Sequence, residues 1–293
     1  MTTPSDVLDF YRRQSRMSDP GPHGAAIAVL PRDVAAVAKA AQGLILHEHW
    51  SGAYGQTLSD ERRSEVHLRA LPAMLDQMLV HDSRPLGEPR ALEDRLIGNC
   101  RDFTLFTLAA LRAQGVPARG RCGFASYFEP GKFVDHWVAE YWNDDQGRWV
   151  MVDAQIDDFQ AGRLEPDFDL LDVPPTRFVT GGEAWRACRA GEADPTKFGI
   201  MDMNGLWFVA GDLVRDAAAL AGMEMMAWDC WGAMPEVGET ISAERLPWFD
   251  HLAELTAEPD AAFDGLIAIN RDDQRQLVPP VVFNAVRNAP ETV

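Results

Sequence analysis

Residues 96–128 read LIGNCRDFTLFTLAALRAQGVPARGRCGFASYF, and where the helix in this stretch begins decides the fold. Gly98 and Asn99 precede a lone cysteine, and from Cys100 to Gln114 apolar residues fall on nearly every side. That pattern predicts a helix buried all round. Gly115 supplies a left-handed stop, and Pro117 prevents resumption. Cys100 is therefore expected at the mouth of a buried helix. There the first backbone N–H groups and the positive end of the macrodipole favour thiolate over thiol. One turn later both benefits are lost. A free cysteine is ordinarily a small buried hydrophobe, so position alone leaves both readings open.

Working outward, three short segments rich in aromatic and β-branched residues follow: GRCGFASYF, HWVAEYW and RWVMVDA. The last two flank NDDQG, a strong turn signal, and predict a hairpin. One buried helix followed by an antiparallel sheet is an α+β core. A turn centred between Asp144 and Asp145 pairs His136 directly with Asp153, Cβ atoms roughly 4.5–5.5 Å apart. A bulge or a different turn shifts that register by a residue or two.

Residues 1–89 read as mostly helical. LPRDVAAVAKAAQGLILHEHW has Pro31 and Asp33 as start signals, and SDERRSEVHLRALPAMLDQMLVHD has Ser59 as N-cap and Pro72 as a break. SRPLGEPRAL is a loop. Residues 161–293 are expected to be mostly helical and irregular, punctuated by Pro174, Pro175 and Pro195, with the final dozen residues a frayed tail. The expectation is a single domain over 1–293, with its core at about 90–160 and helical elaborations on both sides.

Composition narrows the function classes. With 27 basic and 45 acidic residues the net charge is −18, a surface that repels nucleic acid and anionic lipid. No window nears the ~18 consecutive apolar residues of a membrane span. The N-terminus lacks a secretory pattern, which makes the cytoplasm the expected compartment. Cys100, Cys122, Cys188 and Cys230 are far apart with no C-x-x-C pair, so free thiols are expected.

A nucleophile needs a base, and the base an orienter. The hairpin supplies His136 and Asp153: an aspartate accepting from one imidazole nitrogen would hold the other towards a thiol. Taken singly, His136 reads as a structural or surface histidine and Asp153 as a strand-end cap. Jointly with Cys100 they favour catalysis.

GNCRDFTLFTLAALRAQGVPAR, then DHWVAEYW, then GRWVMVDAQ resembles the transglutaminase-like superfamily, a branch of the papain-like cysteine enzymes. The resemblance covers roughly residues 95–155. It implies a papain-like core with Cys100 as nucleophile, His136 as general base and Asp153 as the residue orienting that base. It implies acyl transfer through a Cys thioester, by hydrolysis or aminolysis of an amide, ester or thioester. The partners implied are a small-molecule or peptide acyl substrate and, for transfer, an amine acceptor. Some members of the family have lost the triad and only bind, so the alternative is a non-catalytic peptide- or partner-binding module. A second oxyanion donor could be Trp50, Gln42 or Asn99, and spacing selects none of them. No acidic cluster matches the calcium sites of cross-linking relatives, and no cofactor or metal is implied.

Three further features carry less. His47 and His49 in HEHW could suit a metal on a strand but not on the helix expected there. Asp157 and Asp158 read as a solvated loop. The Met- and Trp-rich stretch 203–231 reads as packing.

Overall fold

A computed structural model describes residues 2–293. The architecture is α+β, and the chain forms two compact units. One comprises Leu8–Gly120 and Val138–Val173; the other comprises the residues up to Val7, Arg121–Trp137 and Pro174–Val293. In chain order the elements of the first are α1 (Pro4–Arg12), α2 (Gly24–Ala28), α3 (Val34–Leu44), β1 (Ile45–His47), α4 (Asp60–Arg63), α5 (Leu71–His81), β2 (Leu96–Gly98) and α6 (Cys100–Ala113). Then come β3 (Ala118–Ala125), β4 (Phe133–Asn143), β5 (Arg148–Val152) and α7 (Asp158–Leu164). The residues of α1, β3 and β4 are divided between the two units.

The expected starts and stops are in place. Asp33 caps α3 by accepting from the Ala36 N–H at 3.0 Å, Ser59 caps α4, and Pro72 lies in the first turn of α5. Every residue of α6 from Cys100 to Arg112 is buried. It packs against α3 and α2, with Leu105, Phe106, Leu108 and Leu111 wholly enclosed, each such side chain contributing about 1.5–3 kcal/mol. Gly115, at φ +78°, ends the helix, and the Val116 N–H returns to the Leu111 carbonyl.

Two expectations in this unit change. The HEHW segment is not one α-helix: Ile45–His47 form β1, parallel to β2 with His47 opposite Gly98, and Glu48–Tyr54 follow as a 3₁₀ helix that carries His49. In the β4–β5 hairpin Asn143 pairs with Arg148 and Ala139 with Val152. The turn is thus centred between Asp145 and Gln146, because Gly147 (φ +61°) joins it and its N–H closes on the Asn143 carbonyl at 2.8 Å. The register is two residues from the expected one, and continuing the ladder puts Val138, not His136, opposite Asp153. A two-residue slip keeps every side chain on its face; a one-residue slip reverses them.

The second unit continues with β6 (Phe178–Thr180), α8 (Gly181–Ala190), β7 (Phe198–Ile200), β8 (Met203–Asn204) and α9 (Leu206–Leu220). It ends with β9 (Asp229–Cys230), α10 (Leu246–Ala257), α11 (Phe263–Asp272), β10 (Val281–Asn284) and β11 (Ala289–Thr292). Helices α8, α9 and α10 pack on one another. Of the Met- and Trp-rich stretch, Leu206–Leu220 form α9, buried from Phe208 onward, and Met225, Met226 and Trp231 are buried beyond it, so packing accounts for most of the stretch, while Met203 is exposed. The end of the chain is no frayed tail: β10 pairs with β11 and β9. Asn284 fixes that hairpin, accepting from the Val286 and Arg287 N–H groups and donating to Glu291.

The largest sheet has the order β6-β3-β4-β7-β8, with β5 also on β4. It is mixed rather than wholly antiparallel, because β4 and β7 run parallel, Phe133 opposite Phe198. On β4, residues 135–138 fall between the β7 ladder at Phe133 and Val134 and the β5 ladder from Ala139 onward.

Candidate functional site

The start of α6 is fixed by its own residues. Asn99 is extended (φ −129°, ψ −178°), and its side-chain oxygen accepts from the Arg101 N–H at 3.0 Å. Asp102 reaches back to the Asn99 N–H at 3.0 Å, completing a capping box. Gly98 is required by this closure, since a Cβ there would stand 2.9 Å from both Asp102 Oδ2 and Ile45 Cγ2. Cys100 is thereby placed as the first helical residue, 8 % exposed. The buried Arg101 guanidinium bonds Asp102 at 3.1 Å and the Arg69 carbonyl at 2.6 Å. Burial pushes the Asp102 carboxyl up, against the pull of Arg101 and the Asn99 N–H.

Asp153 follows β5 and is 1 % exposed. Its N–H donates to the Leu170 carbonyl at 2.9 Å, and its Oδ1 accepts from the Gln155 N–H at 3.0 Å. Gln42 is tied to the same segment, donating to the Ala154 and Ile156 carbonyls at 3.2 and 3.1 Å. Both of its amide hydrogens are therefore engaged. Asn99, by contrast, holds a buried side-chain nitrogen with no hydrogen-bond partner. Trp50 is half-buried on the 3₁₀ turn Glu48–Tyr54.

His136 lies on β4 and belongs to the second unit, at 2 % exposure. Phe128 packs edge-on to its ring at 4.8 Å, with Tyr127 at 6.1 Å and Phe178 at 6.4 Å. The imidazole is walled by aromatic carbon, a setting that holds water away from it. Cys100 and Asp153 belong to the first unit.

A narrow crevice in the first unit runs beside β1, lined among others by Gln42, His47, Tyr54, Arg95, Gln155 and Asp157. Asp157 is not merely a solvated loop residue: it caps α7 and accepts from the Tyr54 hydroxyl at 2.6 Å, while Asp158 pairs with Lys39. The His49 N–H donates to His47 Nδ1 at 3.2 Å, and burial lowers the His49 pKa. Among the described residues these two histidines join no group of three ligands. One group of three does exist: Cys122, Asp135 and Asp212, ligand atoms all within 4.8 Å of one another. Sequence reading missed it because its members are scattered along the chain. All four cysteines are free thiols, and no helix among the described residues is long and apolar enough to cross a membrane.

Residues 80–154 match the family model of the Transglutaminase-like superfamily. No curated protein matches the chain. Among solved structures, the chain is similar to "a Putative Cysteine Protease from Cytophaga hutchinsonii", at 18% identity and a TM-score of 0.34. That alignment covers 59% of this chain and 45% of the other, so it spans under half the length of that protein. Cys100, His136 and Asp153 all lie within 80–154, and this part of the chain is a transglutaminase-like segment.

Proposed function

We propose that the protein is a cysteine-dependent acyl-transfer enzyme in which Cys100 is the nucleophile, His136 its general base and Asp153 the residue that orients the base. The observation that carries this reading is the placement of Cys100 as the first residue of a buried helix whose start a capping box fixes. A thiol there gains thiolate character.

In the proposed reaction His136 takes the thiol proton, and the Cys100 sulfur forms a C–S bond with an amide, ester or thioester carbonyl. The tetrahedral oxyanion is held by the Cys100 backbone N–H and by a second donor. Asn99 Nδ2 fits that second role better than Gln42, whose amide hydrogens are spent. Collapse breaks the bond to the leaving group, which departs with the proton from His136. Water or an amine then cleaves the thioester. The aromatic wall around His136 favours apolar acyl groups and, by excluding water, leaves room for an amine acceptor.

Intact-mass spectrometry after incubation with a panel of small acyl esters, thioesters and peptide amides tests the proposal. A covalent adduct mapped to Cys100, absent in Cys100→Ala and strongly reduced in His136→Ala, is expected. Reaction confined to another cysteine, or adducts equal in His136→Ala, would overturn it, and no adduct with any donor would favour a binding module.

A further inference from the structure

The second unit contains a buried cluster that the proposed reaction does not use. Cys122 on β3 and Asp212 on α9 are enclosed, at 0% and 1% exposure, and Asp135 on β4 is half-buried. Their ligand atoms all lie within 4.8 Å of one another. Asp212 Oδ1 accepts from Arg215 Nη1 at 3.0 Å, yet Asp212 Oδ2 and Asp135 Oδ1 are buried with no hydrogen-bond partner. Two orphaned carboxylate oxygens in one enclosed cluster are costly unless something positive lies between them. The neighbouring Asp216 is already committed, bonding Arg121 through both oxygens at 2.9 Å and accepting from the Cys122 N–H at 3.0 Å.

We propose that Cys122, Asp135 and Asp212 form a structural zinc site that clamps β3, β4 and α9 together. A thiolate and two carboxylates carry three negative charges, and Arg215 beside Asp212 returns one positive. A divalent cation neutralises the remaining two. The thiolate selects a borderline-soft ion such as zinc over magnesium or calcium, which prefer all-oxygen shells. A second carboxylate oxygen, or a water on the open side at Asp135, completes four-coordination. Binding displaces the Cys122 proton to solvent. The clamp would anchor β4 one residue before His136, on the opposite face of the strand.

The test is metal content and cobalt spectroscopy on the full-length protein. After zinc loading and dialysis against metal-free buffer, about one zinc ion per chain is retained. The cobalt-loaded protein shows thiolate-to-cobalt charge-transfer absorption in the near ultraviolet. Cys122→Ser abolishes that band and Cys100→Ser leaves it intact. Asp135→Asn, at the half-buried ligand and so least disruptive to folding, weakens zinc binding by more than the about 10–100-fold typical of outer-shell changes. No retained metal, or binding unchanged in folded Asp135→Asn and Cys122→Ser, would overturn the proposal. Either result would leave a proton shared between the two aspartates as the occupant.

Discussion

Replacing Glu48 with glutamine should stabilise the protein, and only above acid pH. Glu48 opens the 3₁₀ turn after β1 and is half-buried. Burial, and secondly the Asp102 carboxylate, push its pKa from an ordinary 4.5 to about 7, against the pull of Arg63. The folded protein therefore binds this proton more tightly than the unfolded chain does. The contribution to stability is fully present below 4.5, declines from there, and is lost above about 7. At pH 8, holding the carboxylate ionised in that place costs folding about 3 kcal/mol. Solvent screening at a half-buried position reduces this to about 2 kcal/mol. Glu48→Gln keeps the shape without the charge, so its advantage over wild type should grow from near zero at pH 4 to about 2 kcal/mol at pH 8. In thermal melts that is a gain of roughly 5 °C. Groups remote from Glu48 titrate equally in both proteins and cancel in the difference, while Asp102 is relieved of the same repulsion in the variant. A gain of the same size at both pH values, or a loss at pH 8, would refute the assignment of the penalty to this carboxyl.

Arg119 lies 4.0 Å over the half-buried Trp149 ring and bonds the buried Glu140 at 2.6 Å. Arg119→Lys keeps the charge but loses the planar stack and should cost about 2–3 kcal/mol in urea unfolding. Gly181→Ala should lower the melting temperature by an amount equal to about 2 kcal/mol or more, because its Cβ would stand 2.7 Å from the Leu213 nitrogen. Gly162→Ala, in α7 with nothing within 4 Å, should instead raise it by the equivalent of about 0.5–1 kcal/mol. Asn99→Ser keeps a capping oxygen without adding charge and removes the amide donor. If Asn99 serves the oxyanion, turnover on whichever acyl donor forms the Cys100 adduct should fall about 100-fold with little change in melting temperature. Retained turnover would assign that role elsewhere.

Helix α6 and the hairpin after it were legible because their signals are local: Gly98-Asn99 before an apolar run, Gly115 and Pro117 after it, and NDDQG between two aromatic strands. The register was not, because turn length depends on the positive φ at Gly147, which composition does not disclose. The parallel pair β1–β2 joins three-residue strands about fifty residues apart, too short to show a period. The β10–β11 hairpin hid among Pro279, Pro280 and Pro290, its alternation too brief to separate from an irregular end. Cys122, Asp135 and Asp212 converge only through the fold, from two strands and a helix.

The most direct test of the account is the pH dependence of iodoacetamide labelling, read by peptide mapping. Burial raises Cys122 and Cys188, the latter to about 11, so neither should compete near neutral pH. The account predicts that Cys100 is alkylated at pH 6 and that His136→Ala slows this reaction severalfold. Labelling of Cys100 that begins only above the ~8.5 of a free thiol, with no response to His136→Ala, would contradict it.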